Sequence, residues 1–447
     1  MSHARAHRFL VIAVRSSSGA ALALGALFAA TACGPRDPAT FEVTRGADAG
    51  KLEPLAEASP GPEDWPWWRG PGRDGKSRET DPPLEWREEA GVAWRTPVPG
   101  RGHGSPSVWG DRIYLATADE EKEEQLVLAY DRASGSELWR RVVHQGGFVH
   151  RHTKNSHASG TPACDGERVY IAFLNAGAIR ATALDRDGRI VWQRKAGDFE
   201  TEHGYGASPV LYGQTVIVCG DSNGSSFLTA LHRGTGDVVW TTERRAVSSF
   251  ASPIVGRVAG RDQLLLSGAD VVASYAPSSG ELLWHCEGPT ETMASTMAFG
   301  GDLVVATGGY PEKEILCIRA DGEGDVSDSR VVWREKRGVS YVPSPLIHEG
   351  RLYIVNDQGI ATCFGLASGK ELWKGRLEGG FSASPVLAGG RIYVTSEAGE
   401  TFVIEAGDEF RILARNKLPG GGFATPVIAG GRIYLRTTEA LWAIGGG

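Results

Sequence analysis

Cysteine is scarce in this chain: six in 447 residues, with no two adjacent. Setting Cys33 aside leaves Cys164, Cys219, Cys286, Cys317 and Cys363. That number is odd, so at least one stays unpaired or pairs between chains. Cys219, Cys317 and Cys363 lie in apolar, strand-like sequence and are expected as small buried residues. Clustered positive charge is also missing. The formal charge is −7 and no basic block occurs, which excludes the usual electrostatic footprint of nucleic-acid binding. Long apolar runs are missing too. Residues 19–30 form a run of 12, short of the roughly 20 that a membrane span needs. No later segment is long and apolar enough to cross a bilayer. The zincin pattern H-E-x-x-H does not occur.

The N-terminus has the layout of a signal peptide over residues 1–32. Arg5, Arg8 and Arg15 precede the apolar run, and small residues follow it. The run ends in Ala30-Thr31-Ala32-Cys33-Gly34, which resembles the bacterial lipobox, with Ala30 where Leu is usual. That resemblance implies lipidation of Cys33 as the mature N-terminus. Gly34 stands where an Asp would favour inner-membrane retention. The implied place is therefore the periplasmic face of the bacterial envelope, at the outer membrane. Residues 33–63 are polar, rich in Pro, Gly and Ala, and without periodicity. They are expected to be a flexible tether, which would span about 30 Å.

Glycine and tryptophan are abundant, at 60 and 13 residues. Glycine is close to twice the usual ~7%, which suggests many strands joined by turns. An internal repeat explains why. A Ser/Thr-Pro step recurs at Ser105, Thr161, Ser208, Ser252, Ser344, Ser384 and Thr425, and Thr296 fills the missing slot without the proline. After each step come a Gly turn and an alternating strand such as Arg351-Leu352-Tyr353-Ile354. A later strand ends each unit in a tryptophan: Trp94, Trp139, Trp192, Trp240, Trp284, Trp333 or Trp373, with Leu413 in the eighth slot. A period of about 46 residues with four strands per unit predicts a β-propeller. The last unit lacks its tryptophan strand, and one orphan strand around Trp94 precedes the first. Pairing the two predicts an all-β, eight-bladed ring over residues 90–447, sealed by its own N-terminal strand. Residues 64–89 form a tryptophan-rich lead-in.

The pattern from Ala129 to Trp139, AYDRASGSELW, resembles the tryptophan-docking motif of the pyrroloquinoline quinone (PQQ) repeat family. The opening Trp65-Pro66-Trp67-Trp68-Arg69-Gly70-Pro71 resembles the start of BamB-like bacterial propellers. The family includes quinone-dependent alcohol dehydrogenases using PQQ and Ca²⁺. It also includes non-catalytic BamB-like lipoproteins of outer-membrane assembly. The vicinal cysteines of the dehydrogenases are absent, and their calcium-binding and catalytic residues find no motif here. The resemblance therefore implies a monomeric, non-catalytic scaffold for protein partners, with no cofactor. A quinoprotein oxidoreductase and a carbohydrate- or small-ligand-binding propeller are the alternatives.

Candidate site residues fall into two sets. Histidines crowd the inter-blade loops: His144, His150, His152 and His157 in one, and His203 in the next, beside Asp198, Glu200 and Glu202. Both loops should emerge at one mouth of the ring, but their spacing matches no compact metal motif. Bulky residues also precede each anchor: His103, His157, Tyr205, Phe250, Met293, Tyr341, Phe381 and Phe423. Eight units should gather them around one end of the axial channel. They would act either as an apolar plug or as the lining of a funnel or docking surface. Gly70-x4-Gly75-Lys76-Ser77 spells a phosphate-binding loop, which needs a strand before it and a helix after it. Asp81-Pro82-Pro83 follows, so this segment is expected to pack on the ring instead.

Overall fold

Each repeat folds as one antiparallel blade. The computed structural model describes residues 41–446, apart from 48, 51, 52 and 269. The expected signal peptide, Cys33 and residues 33–40 lie outside the described residues. Eight sheets follow one another along the chain. Blade 1 comprises Ser107–Trp109, Arg112–Asp119, Glu124–Asp131 and Glu137–Gln145. The inner strands are buried on both faces because each blade is sandwiched between two others. In Arg112–Asp119 only the two end residues are partly exposed. The outermost strand forms the rim and is mostly exposed. Blade 8 combines three C-terminal strands with Val92–Pro97, which pairs antiparallel with Ala440–Ile444. Trp94 faces Ala443 in that register. The ring is therefore an eight-bladed propeller closed by its N-terminal strand.

The repeat tryptophans dock blade to blade. Gly135, Gly188, Gly236, Gly280 and Gly369 all have positive φ. A Cβ on any of them would come within 2.5–2.7 Å of the ring of Trp94, Trp139, Trp192, Trp240 or Trp333 on the preceding blade. Glycine is thus needed both for the turn and for the indole lying on it. The indole N–H usually donates to the same turn, as from Trp139 to Arg186 O (2.7 Å), Trp192 to Arg233 O (2.9 Å) and Trp373 to Gly407 O (2.9 Å). Trp240 and Trp284 are fully buried, and Trp284 instead donates to Gln263 within its own blade.

The anchor hydroxyls form a second inter-blade system around the axis. The backbone N–H of Ser105 donates to Thr161 Oγ1 (3.1 Å), Thr161 to Ser208 Oγ (2.9 Å) and Ser208 to Ser252 Oγ (2.9 Å). Thr296 donates to Ser344 Oγ (3.0 Å), Ser344 to Ser384 Oγ (2.9 Å) and Ser384 to Thr425 Oγ1 (2.9 Å). The repeated Ser/Thr therefore supplies an acceptor for the neighbouring blade's buried N–H. Two of the eight links are missing among the described residues, from blade 4 to 5 and from blade 8 to 1.

From Phe41 onward the expected tether lies on the ring. Val43–Arg45 adds a fifth strand to the outer edge of blade 3, with Val43 opposite Thr242. Phe41 packs on Tyr275 and His285. The Glu53 and Ala56 carbonyls bond His232 and Arg233. The physical reason is a short alternating stretch, Phe41-Glu42-Val43-Thr44, that satisfies an open sheet edge.

Candidate functional site

The lead-in crosses one end of the ring as a strap. Trp65 exchanges two backbone hydrogen bonds with Val108 of blade 1, and Pro66 O accepts from Cys164 of blade 2. Arg73 donates to Leu211 O of blade 3 (2.7 Å). Trp68 Nε1 donates to Thr296 Oγ1 of blade 5 (2.8 Å). Arg69 donates to Pro345 O of blade 6 (2.6 Å) and Pro385 O of blade 7 (3.3 Å). Ser77 Oγ donates to Ile428 O of blade 8 (2.7 Å). Seven of the eight blades are thus tied by one segment. Arg69 is buried without a carboxylate on its guanidinium, and burial pushes it down to about 10. Its charge is shared among carbonyl oxygens instead. The phosphate-loop string has no flanking strand or helix. It is a run of turns with Arg69, Gly70, Arg73 and Gly75 at positive φ.

Because the strap closes that end, the axial channel is a dead-ended cavity of about 1210 Å³ with Trp68 at its floor. The anchor hydroxyls form its lower wall and the inter-blade loops its mouth. Five of the eight residues that precede the anchors line it: His103, Phe250, Tyr341, Phe381 and Phe423. The other three do not. Tyr205 is buried and donates from its hydroxyl to Cys219 O (3.0 Å). Met293 is fully buried among blade 4 and 5 side chains. His157 stacks on Phe148 at 3.9 Å. Burial inside the blades outcompetes the axis wherever a pocket lies beside the anchor.

Of the loop histidines, His152 and His203 reach the cavity, with their rings stacked at 5.9 Å. His203 O accepts from the His152 backbone N–H and from Asn155 Nδ2, so the two loops are zipped together. His150 is exposed and lines a separate water-sized void, and His144 sits at the end of a rim strand. Among the described residues, no three His, Cys, Asp or Glu side chains gather as a metal cradle.

Cavity charge is uneven. Glu200, Glu202, Glu291, Asp357 and Glu397 line it against Lys154 and Lys313. Lys154 reaches from the blade 1–2 loop to blade 7 and pairs with both Glu397 oxygens (3.1 and 3.2 Å). Nothing in the sequence signals this pair, whose members lie 243 residues apart. Near the blade 8–1 seam, burial pushes the His103 imidazole down to about 3, with Arg436, Arg101 and Arg151 pushing the same way. His103 is therefore neutral at any working pH. Its Nε2 and the Ser105 hydroxyl have no hydrogen-bond partner.

Two catalytic readings can be tested on these residues. Residues 220–224 spell G-x-S-x-G, the string of a nucleophile elbow. Ser222 is fully buried, its hydroxyl donates to Ser225 O (2.7 Å), and the segment joins two strands rather than a strand and a helix. It is a structural turn. PQQ is a tricarboxylic quinone, and the axial cavity would be its place. A wall of five carboxylates against two lysines repels it, and among the described residues no metal cradle accompanies it. The residues present do not fit that group.

The fold has counterparts among known proteins. A family profile described as outer membrane protein assembly factor BamB matches residues 123–374, 314–409 and 358–445. A protein of Yersinia pestis, named outer membrane protein assembly factor BamB, is 22% identical over 312 residues, covering 65% of this chain and 72% of that protein. The structure of BamB from Moraxella catarrhalis superposes with a TM-score of 0.55 at 16% identity, over 78% of this chain and 96% of that one. A quinohemoprotein alcohol dehydrogenase from Comamonas testosteroni gives 0.64 at 12% identity, over 90% of this chain and 84% of that one. At such identities the structural likenesses establish the ring and nothing finer.

Proposed function

Because the chain belongs to the PQQ-repeat propeller family described as outer membrane protein assembly factor BamB, we propose that it is a non-catalytic, membrane-tethered scaffold. Its partners are proteins of the bacterial envelope, engaged at the mouth of the ring. The observation that carries this reading is the dead-ended acidic cavity. Its floor is sealed by the chain's own strap, and its rim of loops and aromatic side chains is open to solvent. Tyr310 stands 63% exposed at that rim. The related BamB proteins are named for outer-membrane assembly, and a role in that process is the one we assign. The basic-then-apolar leader and Cys33 support export and a lipid anchor at the periplasmic face of the outer membrane. A ring whose last blade is completed by its own N-terminal strand, and whose inner edge strands are short and turned to the axis, supports a monomer.

The test sets the scaffold against the oxidoreductase of the same family. The protein is purified with its tether, mixed with PQQ and Ca²⁺, and examined for a bound-quinone absorbance band and for dye-linked alcohol oxidation. The scaffold reading expects neither signal. A stoichiometric band accompanied by turnover would overturn it.

A further inference from the structure

One ion pair bridges the cavity mouth. Lys154 stands on the loop between blades 1 and 2. Glu397 stands in the turn between Arg391–Thr395 and Glu400–Glu405 of blade 7. The Lys154 ammonium lies 3.1 and 3.2 Å from the two Glu397 oxygens. The two ends of the pair differ. The Lys154 side chain is 65% exposed and that of Glu397 only 24%. Glu397 is also oriented by the Ser382 hydroxyl, which donates to Oε1 at 2.7 Å. An exposed lysine held by one such solvent-screened pair is only weakly retained. The carboxylate is thus built in place, while its cation is readily exchanged.

The same side of the cavity holds two buried polar groups without partners. Ser105 is 3% exposed, and neither its hydroxyl nor His103 Nε2 makes a hydrogen bond. Both residues line the cavity one blade beyond Phe423, whose ring lies 4.4 Å from that of His103. Unsatisfied buried groups of this kind are costly, and a ligand that reaches them recovers the cost. Phe423, part-exposed on the wall, adds aromatic surface suited to the methylenes and charge of a lysine. The remaining carboxylates of the wall favour a cation in the cavity.

We propose that Glu397 is the centre of a primary-ammonium subsite, held in the free protein by Lys154 and taken over by a lysine side chain of an extended partner peptide. The bound lysine replaces Lys154 at the carboxylate, and the peptide amides beside it reach Ser105 and His103. The identification of the ligand as a peptide rests on the scaffold reading above. The ammonium chemistry rests on the geometry alone.

Isothermal titration of the full-length protein tests this, with the capped peptide Gly-Ser-Lys-Ser-Gly as probe, its Nε-acetyl-lysine version as control and butylamine as a free amine. The lysine peptide is expected to bind, and the acetylated one about tenfold more weakly or worse. Glu397→Gln should weaken the lysine peptide by a similar factor. Lys154→Ala should strengthen it about two- to fivefold by removing the internal competitor. Equal binding of the acetylated peptide would overturn the proposal, as would weaker or unchanged binding to Lys154→Ala. Butylamine matching the peptide would overturn the peptide assignment. A scaffold with no preference for lysine still gives the blank quinone assay, so the two readings fail separately.

Discussion

Trp68 on the strap and Thr296 on blade 5 are joined by a 2.8 Å hydrogen bond from the indole Nε1 to the anchor hydroxyl. Thr296 is the anchor that lacks its proline, and among the described residues it receives no N–H from Ser252. The strap supplies the donor instead. Trp68→Phe keeps the aromatic plate and removes the donor. It should lower stability by about 0.5–1.5 kcal/mol, read as a lower urea midpoint at unchanged m-value.

The anchor ring makes a sharper contrast between two serines. Ser208 Oγ accepts from the buried Thr161 N–H (2.9 Å), so Ser208→Ala strands that donor and should cost about 1–3 kcal/mol. The Ser105 hydroxyl has no partner, so Ser105→Ala should be nearly neutral in the ligand-free protein. Chemical denaturation of the two variants side by side checks the ring.

Two glycines share one backbone angle and differ in surroundings. Gly260 and Gly280 both have φ of +77°. A Cβ at Gly260 meets nothing within 4 Å, whereas at Gly280 it would lie 2.5 Å from the Trp240 ring. Gly260→Ala should cost the left-handed penalty alone, about 1–2 kcal/mol. Gly280→Ala should cost that plus about 1–3 kcal/mol of overpacking. The difference in thermal midpoint measures the tryptophan-docking contact.

Acid should destabilise the ring through its histidines. Burial pushes His103 down to about 3, and His144 and His157 down to about 4, from 6.5. The fold holds them neutral, while the unfolded chain takes up protons below pH 6.5. Stability is therefore full above about 6.5 and falls as pH drops towards 4 and then 3. For His103 the loss at pH 5 reaches roughly 2 kcal/mol. Urea midpoints at pH 7.5 and 5 should differ in that sense, and His103→Gln should narrow the gap.

The lipid anchor makes its own prediction. In a bacterial host, labelled palmitate should enter the protein, and Cys33→Ala should abolish the label and release the chain from the membrane fraction. Label retained in Cys33→Ala would contradict the assignment.

The ring was legible because it repeats. The Ser/Thr-Pro anchors, the Gly turns and the tryptophans recur at one period, and each has one physical job. Closure was legible because a lone Trp94 strand matched a missing one. The mouth was only partly legible. Position before an anchor places a residue near the axis, but local pockets decide its rotamer, and Tyr205 and Met293 turn inward to the blades. The Phe41-Glu42-Val43-Thr44 alternation was a readable strand signal within an otherwise polar segment. The Lys154–Glu397 pair and the strap's attachment to seven blades depend on distances across the ring. No local pattern encodes them.

The central claim is that the mouth of this ring holds protein partners. A photo-crosslinking amino acid at Tyr310, on the rim, tests it directly against the same group at Leu372, an exposed position (42%) on the outer edge of blade 6. In intact cells, the Tyr310 probe should give a discrete adduct with a β-barrel assembly protein and the Leu372 probe should not. No adduct at Tyr310, or identical adducts from both positions, would contradict the account.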